Sequence, residues 1–220
     1  MSSKETKESK EIKPILLICG CAKYEIYLRA AIRRFKNPAW TIVGIMGGAA
    51  ETTFNEETRV LTLAVPDTYE ALPTKIHAAF SWILNRWPDT PGIFKTDDDI
   101  VLMNINDLVV MLDKYKQQPF WGFVVHHVCA QQVPEWRIQA RFTDKTLKPS
   151  YPESYYCFGH GYWVSKTALP HILAAKEEYE ASFMEDICTG YVLNKQGILP
   201  EHRPIIYMEA PRVPELLRCK

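Results

Sequence analysis

Phe94-Lys95-Thr96-Asp97-Asp98-Asp99 places three consecutive carboxylates directly behind a short apolar run. Aspartate is a poor strand former and adjacent negative charges repel, so a strand that delivers three acids needs positive charge at its end. A divalent cation supplies that charge, and carboxylate oxygens suit a hard ion, Mg²⁺ or Mn²⁺, better than zinc. The competing reading is a solvated acidic turn, because charge clusters usually lie on surfaces. What flanks the acids bears on the choice.

Upstream, Ile76, Ala79, Phe80, Ile83, Leu84 and Trp87 recur near a period of 3.6 and stop before Pro88, which predicts a long helix feeding a strand over Gly92–Thr96. Further back, Ile15–Cys19 is a continuous apolar run of strand length. Tyr24–Phe35 carries Ile26, Ala30, Ile32 and Arg33 at helical spacing, and Thr41–Met46 and Val60–Val65 read as strands. Downstream, Asn106–Tyr115 reads as helix and Trp121–His126 as strand. Cys129–Tyr156 shows no clear period and looks like a long excursion of the binding-loop kind. Gly161–Ser165 predicts a strand, Thr167–Tyr179 and Asp186–Lys195 helices, and Pro204–Met208 a last strand. This alternation predicts an α/β domain with a mostly parallel central sheet flanked by helices and a small antiparallel addition. In such sheets ligands sit at the carboxyl ends of strands, which is where the acids fall.

The 220 residues, 47% hydrophobic and 12% aromatic, suffice for a sizeable core. We expect a disordered polar tail over residues 1–13 and one domain over 14–220. Lys and Arg total 26 against 26 Asp and Glu, so no overall charge points to nucleic acid or an anionic membrane. No apolar stretch reaches the roughly 20 residues of a membrane helix, so no membrane span is expected in this chain. The six cysteines are widely spread and read as reduced thiols.

Five blocks in order, spanning about Ile15 to His202, resemble the β-1,3-galactosyltransferase and Fringe group of inverting, GT-A-fold glycosyltransferases. They are Arg29-Ala30-Ala31-Ile32-Arg33, then Asp67-Thr68-Tyr69 through Leu72 to Lys75, then Lys95–Asp99. Tyr151-Pro152 through Tyr156-Cys157-Phe158-Gly159-His160-Gly161-Tyr162 to Ser165 follows, and Glu185-Asp186-Ile187 with Gly190 and Gly197 completes the set. Two departures stand out: Ala71-Leu72-Pro73-Thr74 replaces the group's Asn-Leu-Thr and is one residue longer, and Phe35 stands where the group has Trp.

The resemblance implies a single GT-A-like domain that moves a sugar from a nucleotide-diphospho-sugar, UDP-linked by preference, to a carbohydrate or glycoconjugate hydroxyl. It implies Asp99 as direct ligand of Mn²⁺ or Mg²⁺, with Asp97 beside it, Asp97 and Asp98 near the ribose and the metal's bound water, and His202 as a further ligand that favours Mn²⁺. Asp186, in an acid pair at the start of a helix, is the expected general base. Helix starts also favour acids as caps and dipole partners, which is the alternative for both Glu185 and Asp186. Gly159 and Gly161 would let the backbone approach the donor sugar. Tyr162 and Trp163 are candidates for stacking on sugars, with one of the two entering the core by alternation. Arg29, Arg33 and Lys75 are candidates for phosphate or uracil, and Cys19-Gly20 would line the nucleotide pocket through its backbone. Most of the group carries a membrane anchor and works in the Golgi lumen. With no anchor expected in this chain, we expect a soluble, cytoplasmic protein, or a Golgi-lumen enzyme if the chain is an excised catalytic domain. A retaining GT-A transferase, a non-catalytic nucleotide- or sugar-binding module and a Mg²⁺-dependent phosphohydrolase stand as the alternatives.

Overall fold

The computed structural model describes residues 12–102, 104–127, 131–204 and 207–209; the tail expected over 1–13 falls outside these up to residue 11. In chain order the elements are β1 (Ile15–Cys19), a short 3₁₀ turn (Ala22–Tyr24), α1 (Glu25–Arg34), β2 (Thr41–Met46), β3 (Thr53–Asn55), β4 (Val60–Thr62), α2 (Leu72–Arg86), β5 (Gly92–Asp97), β6 (Ile100–Leu102) and α3 (Ile105–Tyr115). There follow β7 (Phe120–His127), β8 (Gln131–Gln132), α4 (Glu135–Arg141), β9 (Ser150–Tyr151), β10 (Ser154–Ser165), α5 (Leu169–Ala174), α6 (Lys176–Ala181), α7 (Glu185–Asn194), β11 (Glu201–His202) and β12 (Tyr207–Glu209).

One eight-stranded sheet runs in the order β11-β7-β10-β5-β1-β2-β4-β3. β5, β1, β2 and β4 are parallel, β10 enters antiparallel between β5 and β7, and β3 closes the far edge antiparallel to β4. The expected mostly parallel sheet with antiparallel additions is the one found. β1 is buried along its whole length because it lies mid-sheet with both faces covered. Leu17, Ile15 and Cys19 face the cluster built with α2, α5 and α7, whereas Leu16 and Ile18 face that built with α1 and α3. The helix predicted before Pro88 is α2, with Ile76, Ala79, Phe80 and Ile83 buried at helical spacing and Pro73 in its first turn, where the missing N–H costs nothing.

Several local expectations change. The buried face of α1 is Leu28 and Ala31, not the stripe begun by Ile26, which is half exposed at 50%. The strand expected at Gly161–Ser165 begins at Ser154, because both β5 and β7 supply edges for it to pair with. The helix expected over Thr167–Tyr179 is broken at Ala175, whose backbone leaves the helical region (φ −101°, ψ 36°). Within the excursion over Cys129–Tyr156, of which residues 129 and 130 lie outside the described part, a short helix forms after Pro134 and buries Ile138. Of the strand expected over Pro204–Met208, residues 205 and 206 are also outside, and its described end belongs to β12, paired with β6. Among the described residues no helix is long and apolar enough to cross a membrane, and Cys19, Cys21, Cys157 and Cys188 are free thiols.

Candidate active site

The acidic run sits at the carboxyl ends of β1 and β5. Asp97 is the last residue of β5 and faces Cys19 in the parallel register. Asp98 and Asp99 make the turn to β6, and the Asp98 amide donates to the Cys19 carbonyl at 3.0 Å. Alternation along the chain sorts the three carboxylates: Asp98 is buried, whereas Asp97 and Asp99 are half-buried. The Asp98 carboxylate lies under Gly20, where an added Cβ would stand 3.2 Å from its Oδ2 and 3.0 Å from the Leu28 side chain. Arg34 ties the turn down from α1, its Nη2 donating to the carbonyls of Asp98 at 3.1 Å and Ile100 at 2.6 Å. Burial lowers the pKa of this guanidinium, against the pull of Asp98 and Asp99.

Lys95 lies in the middle of β5, only 1% exposed. Its Nζ donates to Asp97 Oδ1 at 2.8 Å, to Glu185 Oε1 at 2.6 Å and to the Gly159 carbonyl at 2.5 Å. Burial alone would lower this ammonium, but Asp97 and Glu185 outweigh it and hold its pKa well above the ordinary lysine value. Glu185 is itself buried, and its Oε2 accepts from the Tyr162 hydroxyl at 2.7 Å. Burial pushes the Glu185 carboxyl up to about 7, Lys95 acting in the opposite sense.

Asp186 is the neighbouring acid on the first turn of α7, half-buried where Glu185 is buried. Its Oδ2 accepts from the Gly159 amide at 3.1 Å and its Oδ1 from the Ile187 amide at 2.9 Å. Burial raises its pKa, with Lys95 and the two amides opposing the shift. Gly159 belongs to a wide bulge in β10: Cys157 faces Val124 and Tyr162 faces Gly122, so β10 advances five residues while β7 advances two. The bulge turns the amide and carbonyl of Gly159 out of the sheet ladder and onto Asp186 and Lys95. A Cβ at Gly159 would lie 3.0 Å from Glu185 Oε1, a tight contact that the Glu185 carboxylate would have to yield to. Gly161 pairs with Thr96 on β5, and a Cβ there would meet the Phe94 ring at 3.2 Å.

On the other side of β1, Lys75 Nζ donates to the Gly20 carbonyl and to Asp67 Oδ1, both at 2.8 Å. Asp67 also accepts the amides of Ala22 at 2.5 Å and Gly47 at 3.0 Å. Burial works against its charge, yet the hydrogen bonds from Lys75 and Ala22 hold its pKa below the ordinary aspartate value. Asp67 and Lys75 thus clamp the loops that leave β1 and β2 to the start of α2.

Asp97, Lys95, Gly159 and Asp186 are therefore gathered into one connected group, with Cys19, Gly20 and Lys75 at its β1 side. Other expected residues lie elsewhere. Arg29 is engaged by Glu25 one turn away at 2.5 Å, Arg33 is exposed, and no described contact joins either to the acids. His202 accepts the Val124 amide at 3.2 Å and packs on the Phe123 ring. Three strand spacings separate β11 from β5, roughly 14 Å at about 4.8 Å each, and the contacts described for His202 are with Val124 and Phe123 rather than with the acidic turn. Tyr162 and Trp163 are both fully buried, because β10 is an inner strand covered on both faces; neither offers a ring to a sugar. Lys95, Glu185, Arg34 and Asp67 belong to the site as well, although the sequence patterns mark none of them as a ligand or a base. A charged residue within an apolar strand run, as Lys95 is, was the available signal that a buried partner had to exist.

Among the described residues no three of His, Cys, Asp and Glu are gathered to hold a metal ion. Within the acidic run, Asp97 and Asp99 are the two carboxylates with open surface. That donor set fits a hard cation that draws most of its shell from water and substrate phosphates, as Mg²⁺ and Mn²⁺ do, and not a protein-caged ion.

A family description, Galactosyltransferase, matches residues 46–204. The chain belongs to the galactosyltransferase family. Among individual family members, it is 29% identical over 143 residues to lactosylceramide 1,3-N-acetyl-beta-D-glucosaminyltransferase B of Xenopus laevis, covering 62% of this chain and 36% of that protein. It is 27% identical over 160 residues to UDP-GalNAc:beta-1,3-N-acetylgalactosaminyltransferase 1 of Mus musculus, covering 64% and 43%. The match thus spans less than half the length of each of these relatives. Among solved structures it is similar to the galactosyltransferase LgtC in complex with donor and acceptor sugar analogs, at 11% identity and a TM-score of 0.45 over 86% of this chain and 72% of that one.

Proposed function

We propose that this galactosyltransferase-family chain is a metal-dependent inverting glycosyltransferase that moves a sugar from a UDP-linked donor to a carbohydrate hydroxyl. The observation that carries the reading is the division of labour in the Glu185-Asp186 pair. Glu185 is spent in a buried network with Lys95 and Tyr162, whereas Asp186 is half-buried and aimed by two backbone amides. A single displacement at an anomeric carbon needs a fixed carboxylate to take the acceptor hydroxyl's proton as the new bond forms and the diphosphate leaves on the opposite face. The two amides that fix Asp186 support this role, and the raised pKa that burial imposes brings it closer to neutral, where a general base works best.

Asp99 and Asp97 would hold the cation, which when bound offsets charge on the leaving diphosphate. The backbone around Cys19 and Gly20, set by Asp67 and Lys75, would line the nucleotide. The segment with α4 supports an acceptor role because it docks beside the base: Ile138 and Phe142 share a cluster with Ile187 and Tyr156, and Glu70 accepts the amides of Thr143 and Asp144.

The test is Asp186→Asn, assayed by UDP released from a panel of UDP-sugars with Mn²⁺ and by calorimetric binding of UDP. Turnover should fall by roughly 10²- to 10⁴-fold, the usual weight of a general base, with UDP affinity kept. Wild-type turnover in the variant would reject the inverting assignment in favour of a retaining one.

A further inference from the structure

Lys95 is a cation in the interior of a central strand, between Phe94 and Thr96, which are both fully buried. Its three ammonium protons meet three acceptors on three different elements: the Asp97 carboxylate at the end of β5, the Glu185 carboxylate at the start of α7, and the Gly159 carbonyl in the β10 bulge. The same Gly159 donates its amide to Asp186 Oδ2 at 3.1 Å. The acidic turn and the acid of α7 are thereby joined through one nitrogen and one peptide unit. With every proton of the ammonium engaged at 2.5 to 2.8 Å, displacement of any one acceptor draws on the other two. A Cβ at Gly159 would stand 3.4 Å from both Lys95 Nζ and Asp186 Oδ2, so this glycine packs directly against both groups.

We infer that Lys95 is a positioning residue for the transfer: it sets Asp186 relative to the Asp97 end of β5 and itself touches no reacting atom. This rests on the functional reading given above. A buried ion pair adds little net stability over apolar residues of the same volume, so the contribution of Lys95 is to geometry. Attack on an anomeric carbon is sensitive to a misplacement of about 1 Å, which lowers a rate by on the order of 10²-fold.

The experiment compares Lys95→Met and Glu185→Gln with the parent chain in the presence of Mn²⁺. It reads kcat, donor KM, UDP affinity by calorimetry, and hydrogen exchange of the Gly159 and Ile187 amides by NMR. In both variants kcat should fall about tenfold or more, with donor KM and UDP affinity changed by less than about threefold, and the Gly159 amide should exchange faster. Parental kcat in a folded variant, or a loss carried wholly by donor affinity, overturns the inference. If Lys95→Met does not fold, Glu185→Gln, which keeps the shape and puts an amide in place of the carboxyl, decides alone. If the parent turns over no UDP-sugar, the functional reading has failed, and the amides still decide whether Lys95 holds Asp186: unchanged Gly159 exchange rejects it.

Discussion

Gly190→Ala tests how closely α7 must sit on the sheet. A Cβ on Gly190 would lie 2.5 Å from the Tyr155 carbonyl oxygen, 2.5 Å from Tyr156 Cβ and 2.8 Å from Tyr156 Cα. Ordinary contacts of this kind are about 3.5–4.0 Å, so the helix must retreat from β10 by roughly 1 Å, and no rotamer change relieves a clash with backbone. Overpacking of this sort costs about 1–3 kcal/mol, here near the upper end. The gain in helix propensity from Gly to Ala returns up to about 1 kcal/mol, leaving a net loss of about 2 kcal/mol. For a chain of this size each kcal/mol moves Tm by about 2–4 °C, so Tm should fall by roughly 4–8 °C. Asp186 is one turn earlier on α7 and moves with it, so kcat should drop by on the order of 10²-fold even below the new Tm. The assay is thermal unfolding by circular dichroism beside turnover at a temperature where both proteins are folded. Gly197→Ala is the control, because its φ of +73° strains an alanine but nothing lies within 4 Å of the added Cβ, and it should lose stability without losing rate. An unchanged Tm and kcat in Gly190→Ala would refute the reasoning.

Three further outcomes are expected. Asp99→Ala should abolish the dependence of UDP binding on Mn²⁺, matching the parent in EDTA; equal Mn²⁺ dependence in both proteins would remove Asp99 from the cation site. Lys75→Met strands the Asp67 carboxylate, which is 12% exposed, and breaking a buried pair from one side costs about 3 kcal/mol or more, so Tm should fall by roughly 6–12 °C; a loss within 2 °C or so would show the clamp to be dispensable. Stability should respond to pH through two groups of opposite sign. Glu185, raised from 4.5 to about 7, keeps a proton in the fold, so its contribution is complete below about pH 4.5 and is lost as pH rises towards 7. His160, lowered from 6.5 to about 4 by burial and by Lys95, stays neutral in the fold, so its contribution is complete above about pH 6.5 and is lost as pH falls towards 4. Thermal unfolding across this range should show a shallower loss on acidification in His160→Gln and a steeper one in Glu185→Gln; parallel curves would contradict both assignments.

The parts legible in the chain itself are those set by short-range patterning. Continuous apolar runs marked β1, β2 and β5, a period of 3.6 closed by Pro88 marked α2, and the run Lys95–Asp99 marked a strand ending in acids. These follow from covalent geometry and burial within a few residues, so they need no knowledge of neighbours. The pairing of the sheet was not local. Whether β10 began at Gly161 or at Ser154 depended on strands distant in sequence offering it edges. The face of α1 that is buried depended on what packed beneath it, which is why Ile26 reads as core and lies exposed.

The same division holds for the candidate site. Asp97, Asp99 and Asp186 could be picked out as chemically able carboxylates, but residue type alone could not divide Glu185 from Asp186, since both suit a helix start. The resemblance favoured Asp186, and the physical ground for that choice is Lys95, ninety residues before Glu185, which engages Glu185, and a bulge that brings the Gly159 amide to Asp186. Strand order set β11, which carries His202, three strands from β5, and the inner position of β10 withdrew Tyr162 and Trp163 from solvent. Residue type determines which groups can bear charge or move a proton. Which of them meet, and in what dielectric, is decided by contacts between residues far apart in the chain, and only the tertiary structure holds those.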